Sequence, residues 1–172
     1  TIKDRIFFST ADSEVFTRMQ KIAKDIFNSE FSKSSSRPYD YELSSVEAKS
    51  KIISWGIKET YARHKEIPEW IRFAPKEYVC QFLQGLFDID GSVEKKGSVS
   101  FSSSSKTLVN QVQLILLNLG VVARSYERRK KYNNQLQSYI VVYGDFVEKF
   151  QEQVGFSVEK KKTRLSAVCI KQ

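Results

Sequence analysis

Phe82-Leu83-Gln84-Gly85-Leu86-Phe87-Asp88-Ile89-Asp90-Gly91 is the stretch on which the fold turns. Val79, Phe82, Leu83, Leu86 and Phe87 recur at the three-four spacing of one buried helical face. Pro75 suits a first helical position, and nothing from Lys76 to Phe87 breaks a helix. Gly85 inside this run costs about 1 kcal/mol relative to Ala, but its missing side chain allows a second helix to approach closely. Asp88 and Asp90 stand at the C-terminal end, where the helix dipole is negative and carboxylates are disfavoured. Gly91 is expected to end the helix in the left-handed conformation. Asp-x-Asp-Gly also ends helices as ordinary turn chemistry. A divalent cation is the partner that would offset the misplaced charge.

The remainder of the chain sets the context for this helix. Its 172 residues, 41% of them hydrophobic, suffice for one domain or two small fused units with a real core. A net charge of +8 and a pI near 9.4 point to a polyanionic partner rather than a membrane. No run of about 18 apolar residues is present to span a bilayer. There is no initiator Met and no secretory leader, so a piece of a longer protein is expected. Cys80, Cys169 and the single His64 cannot make a structural zinc site. A reducing, intracellular setting follows as the expectation.

In chain order, Ile6-Phe7-Phe8-Ser9 reads as a strand and Asp12 or Ser13 as the cap of a helix. Val15, Met19, Ile22, Ala23 and Ile26 mark that helix's buried stripe. A polar loop from Ser29 to Arg37 leads to a strand over 39–45 and a short helix over 47–55 that Gly56 stops. After a connector over 58–73 and the central helix come a strand over 97–103 and a helix over 107–119. A hairpin over 121–128 and 137–143 follows, then a helix over 146–154, the basic run Lys160-Lys161-Lys162 and a tail. The pattern occurs twice. Ile6-Phe7-Phe8-Ser9 matches Val99-Ser100-Phe101-Ser102, and Val15, Met19, Ile22 and Ile26 then fall on Leu108, Val112, Ile115 and Leu119 without a gap. Trp55-Gly56-Ile57 matches Val154-Gly155-Phe156.

Leu83-Gln84-Gly85-Leu86-Phe87-Asp88-Ile89-Asp90-Gly91 resembles the nine-residue motif of LAGLIDADG homing endonucleases, of the kind found inside inteins. Gln84 and Phe87 depart from the motif. Lys65-Glu66-Ile67-Pro68 upstream is similar to the Lys-x-Ile-Pro block that precedes the second motif of intein endonucleases. The resemblance implies an α+β, pseudo-twofold architecture of αββαββα repeats, with two antiparallel sheets forming a saddle over double-stranded DNA. It divides the chain into a first repeat over 1–62 without its motif helix and a second over 63–172. It further implies that Asp90 binds Mg²⁺ between protein and scissile phosphate. Gly91 adds a backbone carbonyl, and Lys65 stabilises charge or polarises the attacking water. A second lysine is expected from Lys160, Lys161 or Lys162, with Lys161 standing for the three.

Carboxylate-bound Mg²⁺ with a nearby Lys supplies both a nucleophile and charge stabilisation for phosphodiester hydrolysis. A paired metal site needs a carboxylate from each repeat, and one is visible here. Its counterpart is expected from a helix in another segment, another polypeptide or another copy. DNA reading would fall to the sheets. Arg124, Tyr126 and Arg128 alternate along one strand and share a face, as do Gln135, Gln137 and Tyr139 on the return strand. Arg129, Lys130 and Lys131 at the hairpin tip suit phosphate contacts, and Lys33, Arg37 and Tyr39 occupy the matching region of the first repeat. The alternative is a non-cleaving, maturase-like or degenerate DNA- or RNA-binding module of the same fold. No splicing nucleophile or terminal His-Asn is present, so the chain is not expected to splice by itself.

Overall fold

A computed structural model describes residues 4–35, 37–131 and 133–170. They form two compact units, Thr1–Ile57 and Lys58–Gln172. In the first, β1 (Arg5–Ser9) leads into α1 (Ser13–Phe27), capped by Asp12, whose carboxylate accepts from the N–H groups of Glu14 and Val15. A two-residue strand β2 (Ser32–Lys33) lies within the polar loop and pairs with β3 (Asp40–Ser44), and α2 (Val46–Ser54) follows. The sheet order is β1-β3-β2, antiparallel throughout. Its core is small: Ala23, Phe31, Leu43 and Ala48, with Phe8, Phe16 and Tyr41 packed against them.

The second unit opens with the connector, two short 3-10 turns at Ala62–His64 and Glu69–Phe73. It continues with α3 (Lys76–Asp90), β4 (Gly91–Val93), β5 (Val99–Ser103) and α4 (Lys106–Asn118). Then come β6 (Arg124–Arg129), β7 (Leu136–Val142), α5 (Phe146–Gln153) and α6 (Glu159–Cys169). The sheet order β4-β5-β7-β6 contains β1-β3-β2 as β5-β7-β6, so the repeat seen in the sequence is a repeat of topology. Even the caps correspond: Ser105 opens α4 where Asp12 opens α1. Phe87, Leu83, Val99, Phe101, Val112, Leu116, Ile140 and Phe150 are fully buried between the sheet and helices α3 to α5. Among the described residues, no helix is long and apolar enough to cross a membrane.

Several expectations need correction. The basic run and its tail form α6, which buries Leu165. Gly91 is extended (φ −89°, ψ 159°), not left-handed. Glycine is needed there for room, since a Cβ would lie 2.5 Å from the Phe87 carbonyl oxygen. Of the expected stripe on α1, Ile22 and Ile26 stay 44% and 42% exposed. Their counterpart Ile115 is covered, because the connector packs on α4 and the first unit has no described equivalent of it. Pro75 precedes the helix as its N-cap residue rather than opening it.

Candidate functional site

Helix α3 ends without a basic residue in its last turn and with two carboxylates, an arrangement that its own dipole opposes. The two acids meet different surroundings. Asp88 is satisfied by protein: one oxygen accepts from the N–H groups of Ser157 (2.9 Å) and Val158 (3.3 Å), the other from the Ser157 hydroxyl. It anchors the entry to α6. Asp90 lies at the exposed end of the helix, and no described donor hydrogen-bonds to it. Enough protein crowds its carboxylate that loss of hydration pushes the pKa above the usual value, against the pull of the Lys65 and Lys161 ammonium groups. The fold thus gathers Asp90, Lys65 and Lys161 from three separate segments.

The two lysines are held differently. Lys65 is fixed through its backbone. Its carbonyl accepts from the fully buried Ser105 hydroxyl at 2.6 Å, and the next amide but one, Ile67 N–H, donates to Gln111 at 2.8 Å. Ser105 caps α4 and Gln111 lies on its second turn, so the helix that carries the repeat also carries the connector. Ser105→Ala strips this carbonyl and the Leu108 N–H of a shared buried partner. A loss of about 1–3 kcal/mol is expected in chemical denaturation, and unchanged stability would contradict the role given to Ser105. The Lys161 side chain lies on the inner turn of α6, where its Nζ donates to the carbonyls of Phe87 (3.1 Å), Asp88 (2.6 Å) and Gly91 (2.7 Å). Lys160 and Lys162 are not placed among these contacts; Lys160 is exposed and Lys162 is exposed.

The outer face of the second sheet follows its register. Arg124, Tyr126 and Arg128 stand opposite Val141, Tyr139 and Gln137, all on the side away from the core. Tyr126 and Tyr139 stack with ring planes 6° apart and centroids at 5.1 Å. Gln137 departs from expectation. It is only 7% exposed, and its amide is engaged with Ser102 (3.3 Å) and Ser104 (3.5 Å). Gln135 sits in the turn, locked to Asn133, and Arg129 donates to the Asn134 carbonyl at 3.1 Å, while Lys130 and Lys131 extend the tip. Lys95 and Lys96, passed over in the sequence, flank a groove of about 540 Å³ that includes Ser100, Tyr126 and Tyr139. In the first unit, Arg37 reaches Asp40 (3.3 Å), Tyr39 is 58% exposed, and Lys33 pairs with Tyr41, whose ring packs toward α1.

Among the described residues, no cluster of three or more His, Cys, Asp or Glu could enclose a metal. One unpartnered carboxylate still fits Mg²⁺, which is commonly held by one or two carboxylates together with substrate phosphates and water.

Comparison with known proteins accords with this geometry. Residues 77–155 match the family model described as a LAGLIDADG-like domain. The chain is 28% identical over 166 residues to the replication factor C small subunit of Methanocaldococcus jannaschii, covering 94% of the chain but 9% of that protein. It is 27% identical over 174 residues to a probable translation initiation factor IF-2 of the same organism, covering 96% of the chain and 15% of that protein. The chain thus spans a small part of the curated relatives it matches. Among solved structures, the complex of I-DmoI with DNA and Ca superposes with a TM-score of 0.65 at 15% identity, over 95% of this chain and 83% of that one. Other structures of I-DmoI hold DNA with Mn or with Mg.

Proposed function

We propose, for a chain that belongs to the LAGLIDADG homing endonuclease family, that it is a site-specific, Mg²⁺-dependent endonuclease domain for double-stranded DNA. The observation that carries this reading is Asp90: a carboxylate at a helix end, without a protein donor, within the electrostatic reach of Lys65 and Lys161. When bound there with a DNA phosphate, Mg²⁺ would supply Lewis acidity and an activated water. The protein's part is to fix the Asp90 carboxylate and to hold Lys65 beside the phosphate, where its charge stabilises the extra negative charge of the transition state. Arg124, Tyr126 and Arg128, with Lys95 and Lys96 at the groove's rim, would lie along the duplex. The divalent ions and DNA of the I-DmoI complexes support this reading.

The second carboxylate is assigned to an equivalent helix from another segment or another chain. Tyr78, Gln81, Gly85 and Ile89 form an open stripe along α3, and apart from the local backbone of the helix itself no described atom comes within 4 Å of a Cβ built on Gly85. The likeness to small parts of two unrelated proteins, a replication factor and a translation factor, supports an intein as the setting. The protein would act in the compartment that holds its target DNA.

The test is selection from a random-duplex library, followed by incubation with Mg²⁺. Discrete double-strand cuts that EDTA abolishes are expected. A tightly bound, selected duplex that stays intact with Mg²⁺ and the completed helix pair would instead assign the chain to the non-cleaving modules of this fold.

A further inference from the structure

We propose that Lys161 is a positioning residue that caps the C-terminus of α3, and that Lys65 alone of the two site lysines acts on the substrate. The proposal rests on the metal reading of Asp90 given above. An ammonium has three protons and no acceptor. All three protons of Lys161 have a backbone carbonyl within reach: Phe87, Asp88 and Gly91. The last carbonyls of a helix lack intrahelical partners, and a cation placed there also meets the negative end of the dipole. Since α3 has no basic residue of its own in its last turn, α6 provides one. The arrangement is reciprocal. Asp88, from the end of α3, receives the N–H groups of Ser157 and Val158 just before α6, while Lys161, from α6, closes the end of α3. Asp90 lies between two residues so held, Asp88 and Gly91, and its direction is set by this clasp. The Gly91 carbonyl, expected to face the metal, accepts one of these ammonium protons. Lys65 is the converse case: its backbone is pinned by Ser105, and no described acceptor takes its ammonium.

The experiment compares Lys161→Met, Lys161→Arg, Asp88→Asn and Lys65→Met in the full chain. It reads thermal melting without metal or DNA, and Ca²⁺ affinity by calorimetry in complex with the selected duplex. Lys161→Met should lower Tm by about 2–4 °C and weaken Ca²⁺ binding about 10-fold or more. Asp88→Asn should do the same, the double variant losing less than the sum. Lys161→Arg, which keeps a cation at the helix end, should restore most of the Tm. Lys65→Met should slow cleavage while keeping wild-type Tm and Ca²⁺ affinity. A Lys161→Met protein that melts as wild type and binds Ca²⁺ as wild type, yet does not cut, overturns the proposal. So does one with a lowered Tm and unchanged Ca²⁺ affinity. Wild-type protein that takes up no Ca²⁺ in the duplex complex sinks the metal reading of Asp90 itself, and the clasp is then left as a helix cap only.

Discussion

Asp90→Asn should abolish cleavage and leave the folded protein at least as stable as before. The carboxylate makes no hydrogen bond that the fold needs, so its loss opens no buried gap. It is an anion at the negative end of a helix, partly stripped of water. Removing a charge so placed is worth about 0.3–1 kcal/mol in favour of the folded state. Function should move the other way. Losing one electrostatic contributor to a transition state costs about 10²–10³ in rate, and losing the carboxylate that this helix supplies to the metal should cost at least that. Affinity for the selected duplex, measured without divalent ions, should persist because the basic strand face is untouched. The measurements are single-turnover cleavage with Mg²⁺ and a thermal melt of each protein. Cleavage within tenfold of wild type would remove Asp90 from the site. Asp88→Asn, by contrast, should lower the melting temperature, since three donors from Ser157 and Val158 lose their charged acceptor.

Phe87→Ala should produce the largest loss of stability of any single substitution named here. Phe87 is fully buried, one turn before the site, with ring centroids at 4.8 Å from Phe150, 5.3 Å from Phe101 and 6.3 Å from Phe156. It joins α3 to the sheet, to α5 and to the segment leading into α6. Truncating such a ring costs about 3–5 kcal/mol, a large part of a domain stability of about 5–15 kcal/mol. Equilibrium denaturation should show the midpoint falling accordingly, while Phe7→Ala, at a ring 58% exposed, should stay within about 0.5 kcal/mol of wild type. A Phe87→Ala loss below about 1 kcal/mol would mean that the aromatic cluster repacks freely.

Periodicity made most of this fold legible. The α3 face, the α4 stripe and the alternation on β6 are local patterns, and each is found where its spacing places it. The doubled strand-helix pattern even anticipated a shared sheet order. What stayed hidden depends on neighbours distant in sequence. The tail forms α6 because Leu165 has a pocket to fill and Asp88 holds its entry, neither of which shows in Lys160-Lys161-Lys162. Ile22 and Ile26 carry the same signal as Ile115 and Leu119, but spacing does not say whether another segment arrives to cover them. At the site, Asp90 and Lys65 were readable as a motif and its upstream block. Ser105 and Gln111 were not, although a serine directly ahead of an apolar helix is a capping signal that could have marked the first. Gln137 looked like a base reader by alternation alone. Ser102 and Ser104, from the neighbouring strand and its end, occupy its amide.

The reciprocal hold between α3 and α6 also has a consequence for the order of assembly. Lys161 and the Asp88 carbonyl are 73 positions apart in the chain, and contacts at such separation form only after the intervening loop has been closed. As the polypeptide leaves the ribosome, α3, the sheet and α4 are complete well before residue 161 emerges. Through that interval the helix end carries two carboxylates and no cation of its own. The second unit can therefore assemble its sheet before the end of α3 is closed, and the clasp around Asp90 is among the last features to form.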